Sequence, residues 1–286
     1  MAVTQYSAAE IQALVVEAWS DIFMQELREK LMLGALVNKD YSGQISNLGD
    51  SVKVSQINAP TGQLLTVGVD ADSFDSEALS STQVEVKADK RAVASYEFED
   101  TVQLMTQLGN KDSEIRAALL FAVSKQINDY LYTLVAPSAS APDHVLISSD
   151  MNAAQIAAIR KLAAQAKWDK SKGWWLLCDP SYYSDILNAQ TLTSQDYVGG
   201  DLPIVGGQVV NKRFGFNILE DDSRPEDYAI AFHPDFMHLV MKTQPTFKVS
   251  DLHSHKKFGY VISVDQIFGA KLGIQGALKH IKVTAS

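Results

Sequence analysis

At 286 residues and a formal net charge of −9, the chain is long enough for one or two domains and too acidic for a sequence-wide grip on nucleic acid, which needs a basic face. Apolar residues at 46% and charged residues at 21% lie close to globular averages, so a sizeable core is available. A single cysteine, Cys178, excludes an intramolecular disulfide and a thiolate zinc cluster, and fits synthesis in a reducing compartment. No basic stretch followed by an apolar run marks a signal peptide, and no apolar stretch is long enough to span a membrane as a helix.

The first periodic signal runs from Ser7 to about Leu33. Ser7 and Glu10 have capping-box spacing. Ile11, Leu14, Val15, Ala18, Trp19, Ile22, Phe23 and Leu27 then recur every three or four residues, the spacing of one helical stripe. Such a stripe packs either on its own core or, as an arm, on a neighbouring subunit.

Residues 50–100 change character. "DSVKVSQI" and "TQVEVKADKRAVASYEFE" read as strands. Val84, Val86 and Ala88 share one parity, with Glu85, Lys87 and Asp89 on the other, as in a half-exposed ribbon. The intervening "NAPTGQLLTVGVDADSFDSEALSS" holds no Lys or Arg, and Asp70, Asp72, Asp75 and Glu77 make its tip acidic. That stretch is long for a hairpin loop. A two-stranded ribbon alone is marginal in water, so this one needs support from its own body or from another chain.

The longest predicted helix spans Lys111 to Val135, about 37 Å at 1.5 Å per residue. Ile115, Leu119, Ala122, Val123, Ile127, Tyr130, Leu131 and Leu134 form its stripe, and Pro137 stops it. "SASAPDH" reads as a linker. A second helix follows from Asn152, then the apolar run "GWWLLC" as a buried strand, and a short helix after Asp179-Pro180. Residues 189–208 read as a loop. "FNILE", "YAIAFH", "TFKVS" and the long "FGYVISVDQIFGAKLGIQGALKHIKV" are strand-like, giving an α+β chain with no internal repeat.

Motifs that carry chemistry are not found. "GGDLPIVGGQ" lacks the Gly-Lys-Ser/Thr ending of a phosphate loop, and "GAKLGIQG" does not sit between a strand and a helix as a dinucleotide fingerprint does. No Gly-x-Ser-x-Gly elbow occurs, and Ser254 and Lys257 match Ser-x-x-Lys without its partner motifs. "DLHSH" offers Asp251, His253 and His255 as a weak metal candidate, whose bland reading is a polar turn; His233 and His238 are five apart. Asp221, Asp222, Glu226 and Asp227 flank Pro225 and read as a solvated loop without the alternation of a calcium site. Cys178 beside Trp174, Trp175 and Leu176 reads as a small buried hydrophobe.

The order of these elements resembles the major capsid proteins of tailed bacteriophages with the Hong Kong 97-like fold. The resemblance covers nearly the whole chain. Residues 1–49 are similar to the family's N-terminal arm, 50–100 to its extended E-loop with the tip near 60–80, and 101–145 to a P domain carrying the long spine helix. Residues 146–250 are similar to the A domain, with "WWLLCDPSYYSDIL" as strand and helix. "GGQVVNKRFGFNILEDDS" resembles the segment leading into "GF.V..S", with Gly215 and Phe216 in the matching places. Residues 251–286 resemble strands returning through both domains, with "FGAKLGIQGALKHIKV" as the closing strand.

The resemblance implies a subunit that assembles into hexamers and pentamers of an icosahedral shell around double-stranded DNA, without sequence-specific contacts, cofactor, metal, catalytic residues or membrane. Assembly in the host cytoplasm and a place in the virion capsid follow from it. It implies that the E-loop lies across a neighbouring subunit. Its acidic tip, Asp70, Asp72, Asp75 and Glu77, then meets a basic surface, for which Lys167, Lys170, Lys172, Lys256 and Lys257 are candidates. The arm's apolar face, Ile11, Leu14, Val15, Trp19, Ile22 and Phe23, is expected at an inter-subunit contact. No Lys lies between Lys53 and Lys87, so no E-loop lysine crosslink is expected. The arm helix begins almost at the start, so a separate scaffolding protein is expected, with a portal and a possible decoration protein as further partners. The acidic balance suggests an inner lining that does not grip the genome tightly. Competing readings are an encapsulin-type shell around cargo enzymes, another virion part such as a decoration or tail protein, and a soluble α+β metal-dependent enzyme using His253 and His255.

Overall fold

The computed structural model describes residues 31–45, 47–66, 76–99, 112–135, 144–146, 150–193, 212–223, 228–242, 244–253, 258–274 and 276–283. A short helix α1 (Leu33–Leu36) and a 3-10 turn (Ser42–Gln44) precede strands β1 (Ser51–Ile57), β2 (Ser81–Lys87) and β3 (Lys90–Glu99). The long helix α2 is Asp112–Val135. Then come β4 (His144–Leu146), α3 (Ala153–Gln165), β5 (Trp174–Cys178), α4 (Pro180–Asn188), α5 (Gln190–Thr193), β6 (Lys212–Arg213), β7 (Phe216–Glu220) and β8 (Ala229–Phe232). A second 3-10 turn (Pro234–Phe236) leads to β9 (Met237–Met241), β10 (Thr246–Asp251), β11 (Gly259–Leu272) and β12 (Leu278–Val283).

Three sheets result among the described residues. β1 and β2 pair only with each other; β10, β11 and β3 lie side by side with β9 against the far end of β11; and β4-β12-β8-β5-β7-β6 form the largest sheet. The stripe of α2 explains its place. Ile115, Leu119, Val123, Ile127 and Leu131 recur every four residues, so one face is buried along the whole helix. That face lies on the β3–β11 sheet, against Ala92, Ile262, Val264 and Phe268.

The C-terminal end of α2 reaches the largest sheet. Leu131, Tyr132 and Val135 share a core with Leu177, Tyr228, Ile230 and Phe232. The other face of that sheet packs under α3 and α4, where Trp174, Leu176, Cys178, Ala229 and Ala231 meet Ile156, Ile159, Tyr182 and Ile186. Central strand β5 therefore has both faces covered, which is why "WWLLC" is uninterrupted in apolar residues. β5 and β7 run parallel with α4 between them. Local capping sets these helices: Asn152 accepts the Gln155 amide at 3.1 Å, and Asp179, before Pro180, accepts the Ser181 amide at 3.2 Å. Between β6 and β7 the two-residue turn Phe214-Gly215 has φ of +50° and +88°, the signs of a hairpin turn matched to strand twist.

Four readings differ from the sequence expectation. "TQVEVKADKRAVASYEFE" is two strands in different sheets, because Ala88 and Asp89 turn the chain between them. The closing segment also splits, β11 in one sheet and β12 in another, with Gly276 at φ +84° in the turn. β9, not read as a strand from the sequence, pairs with the far end of β11, whose other end pairs with β10; Pro234 follows the end of β8 and the turn carries the chain across. Asp221, expected on a solvated loop, is fully buried. Its carboxylate accepts from the Tyr132 hydroxyl, from the Ser223 amide at 3.0 Å and from the Ser223 hydroxyl at 2.6 Å. Asn128 then donates to the Ser223 hydroxyl at 2.9 Å and accepts the Gly34 amide at 3.1 Å. This chain of bonds ties α1, α2 and the end of β7 together. It resolves the cost of burying a carboxylate, which is large without such partners.

Candidate functional site: the ribbon and its base

The β1–β2 ribbon is the least self-sufficient part of the described chain. Its register pairs Ser51 with Lys87 and Ile57 with Ser81. The cross-strand pairs Val52–Val86 and Val54–Val84 lie on one face. Only Val52 and Val86 are buried, and they pack with Ile45, Ala88 and Val240. The parity expected for Val84, Val86 and Ala88 is therefore what seats the ribbon.

Beyond the base both faces are exposed. Asn58 and Ser80 extend the ladder with a 3.0 Å backbone bond, and the Thr61 amide donates to Glu77 at 3.2 Å. Along this stretch Leu64 is 100% exposed, Leu79 82% and Ile57 69%. Three large apolar side chains are thus left to solvent on one element.

The base is positioned by a close crossing. Gly269 of β11 lies under the end of β2. A Cβ there would overlap the Lys87 carbonyl oxygen and sit 2.7 Å from its carbon. Only glycine permits this approach of two backbones. The Gly49 amide also bonds the Ala88 carbonyl at 2.8 Å, and the Ala88 amide bonds the Asp50 carbonyl at 2.9 Å. The sequence carried a signal for this crossing in Gly269 itself, a glycine inside a strand pattern. Its partner in space was not legible.

Of the acidic tip, Glu77 is exposed, while Asp70, Asp72 and Asp75 lie outside the described residues. Lys167, Lys170 and Lys172 share one exposed loop after α3, whereas Lys256 and Lys257 lie outside the described residues. Lys172 already has a partner in its own chain: its ammonium donates to Asp235 at 2.6 Å, and that bond raises its pKa. On the same loop, bonds from the Ser171 amide and hydroxyl hold the Asp169 carboxyl below its usual range. No ion pair joins Glu77 to Lys167, Lys170 or Lys172 among the described residues. The arm residues Ile11, Leu14, Val15, Trp19, Ile22 and Phe23 fall outside the described residues. Leu33, Val37 and Ile45, which follow them, are buried in the body.

The weak metal candidate is an ordinary turn where it is described. Asp251 accepts the His253 amide at 2.9 Å, and the His253 ring stands 6.0 Å from that of Phe258; His255 is outside the described residues. No group of three or more His, Cys, Asp or Glu side chains is placed to hold a metal among the described residues. Cys178 is buried. No helix of the described residues is long and apolar enough to cross a membrane.

No family model matches the sequence, and no curated protein matches it significantly. Solved structures do match. One from Mycobacterium phage Che8 superposes with a TM-score of 0.75 at 19% identity, covering 93% of this chain and 96% of the other. The capsid structure of the cyanophage P-SCSP1u gives a TM-score of 0.70 at 12% identity, covering 100% of this chain and 97% of the other. A virus-like particle from Pyrococcus furiosus gives 0.56 at 12% identity, covering 87% and 91%. With a ribbon, a long helix, a six-stranded sheet and returning strands among its described residues, and with these likenesses, the chain carries the Hong Kong 97-like capsid fold.

Proposed function

We propose that the chain is the major capsid protein of a tailed bacteriophage. It is a structural subunit that self-assembles into the hexamers and pentamers of an icosahedral shell around packaged double-stranded DNA. The observation that carries this reading is the ribbon: Ile57, Leu64 and Leu79 stand exposed on an element whose own body covers only its base. A second subunit is the occupant that a repeated shell supplies, and modest contacts suffice when many act together. The fold, shared end to end with a cyanophage capsid, supports the same reading. A scaffolding protein, a portal and a decoration protein are the further partners of such a shell, and the virion capsid, built in the host cytoplasm, is its place. In sedimentation the purified protein, supplied with scaffold, is expected to run as particles; a monomer with a bound metal ion would overturn the proposal in favour of an enzyme.

A second reading is an encapsulin-type shell around cargo proteins; the likeness to a virus-like particle from Pyrococcus furiosus supports a shell of either kind. Purified particles decide between the two: nuclease-protected DNA supports the phage capsid, and co-purifying protein cargo without DNA supports the other.

The ribbon tip offers a direct perturbation. Reversing Asp70, Asp72, Asp75 and Glu77 to Lys together is expected to impair assembly, with the Lys167–Lys170 loop as one candidate basic surface. Normal particles from that variant at low salt would refute the electrostatic role. A single reversal is expected to show little, because an exposed pair is worth about 0–1 kcal/mol. The ribbon segment between Lys53 and Lys87 contains no lysine, so mature particles are expected to run as monomers on a denaturing gel. A ladder of covalent oligomers would contradict that.

A further inference from the structure

We propose that His233 and His238 form an acid-sensitive latch where the chain crosses between the two larger sheets: neutral, the rings hold the crossing closed, and protonated, they open it. The two histidines bracket the 3-10 turn that links β8 to β9. Each is 6% exposed. His233 uses Nδ1 to accept the Asp235 amide at 3.3 Å, which caps the turn and leaves its proton on Nε2. His233 Nε2 and His238 Nδ1 are buried with no hydrogen-bond partner among the described residues.

The surroundings are tight. Gly273 at the exit of β11 lies so close that a Cβ would sit 2.7 Å from the Asp235 carbonyl oxygen and 2.8 Å from His238 Nε2. The Gly273 amide donates to the Phe236 carbonyl at 2.7 Å, so this exit is tied to the turn. Asn38 forms a parallel bridge with His238, its carbonyl accepts the Leu239 amide at 2.9 Å, and the Tyr41 ring stands edge-on to the imidazole at 5.5 Å. A shift of either ring therefore moves the turn, the exit of β11 and the 38–45 segment together.

Charges around the pair do not offset a proton. His233 faces Asp235, Lys172 and Asp169; His238 faces Asp235 and Asp40, with Lys271 opposite it across the β9–β11 register. The Asp235 carboxylate lies 3.7 Å from His233 Nδ1 but is already bonded by Lys172 at 2.6 Å. Burial opposes the charge on Asp235, yet the Lys172 bond keeps its carboxyl below the usual range, so it stays ionised as the histidines titrate. For both rings, burial outweighs the nearby carboxylates and lowers the pKa from the ordinary 6.5. A histidine depressed when closed binds protons more readily once open. The latch is thus at full strength above 6.5 and weakens as pH falls below it.

Hydrogen exchange in the assembled protein tests this. Between about pH 7.5 and about pH 5.5 the protection factors at Phe236, Leu239 and Gly273 are expected to fall at least about tenfold, while those at Leu176 and Leu177 hold. In the His233→Asn/His238→Asn variant, where Asn keeps an acceptor for the turn, the selective fall is expected to vanish. An equal fall in the variant, or none in the wild type, overturns the latch. Should the variant not fold, ring-proton titration of the wild type decides: both imidazoles must titrate below 6.5, and either one at or above it refutes the proposal.

Discussion

Replacing Gly269 with alanine is expected to destabilise the protein by about 3 kcal/mol, the upper end of overpacking costs, and to abolish normal assembly. The methyl group meets backbone, the Lys87 carbonyl and the Ala88 Cα, so no side-chain rotation relieves the overlap. The strand must instead lift away from β11. That lift carries Val52, Val86 and Ala88 off Val240 and re-aims the whole ribbon. A thermal midpoint lower by roughly 5–10 °C, with few or no regular particles, is the expected result. Gly43→Ala is the control, because nothing lies within 4 Å of its Cβ position. If Gly269→Ala melts and assembles like Gly43→Ala, the crossing does not position the ribbon.

The second large effect is expected at Asp221. Asp221→Ala removes the acceptor for the Tyr132 hydroxyl and for both Ser223 donors at a fully buried site. Each buried donor so deprived costs about 1–3 kcal/mol, so a loss of about 4 kcal/mol is expected in chemical unfolding. Tyr132→Phe is milder, about 1.5–3 kcal/mol, because one bond to a charged acceptor is lost. The two changes share a network, so the double variant should cost less than their sum. Strict additivity would show that the carboxylate and the hydroxyl act independently, against the bonding described here. The network joins the long helix to the largest sheet, so its loss should also loosen the two relative to each other.

Structure that neighbouring residues decide is legible in the sequence. The four-residue recurrence from Ile115 to Leu131, the start of a helix at Asn152, the Asp179-Pro180 break and the parity of Val84, Val86 and Ala88 are all short-range patterns. Structure that depends on partners distant in sequence is not legible there. β9 is a short strand with a histidine, His238, among apolar residues, and its pairing with β11 is not written in its own residues. Asp221 sits beside Asp222 and Ser223, a solvated pattern by composition, and the long helix draws the site into the core through Tyr132, which bonds Asp221, and Asn128, which bonds Ser223. Gly269 was visible as a glycine in a strand, but that Lys87 crosses it was not. The candidate site followed the same rule. The ribbon's dependence on support was legible from its alternation, whereas the commitment of Lys172 to Asp235 was not.

The central claim is that this chain is a shell subunit whose exposed ribbon is completed by another copy. Negative-stain microscopy of the purified protein, with and without scaffold, tests it most directly. Closed, regular shells are predicted in at least the scaffolded sample, and the Gly269→Ala protein should not form them. Monodisperse monomers under both conditions would contradict the claim.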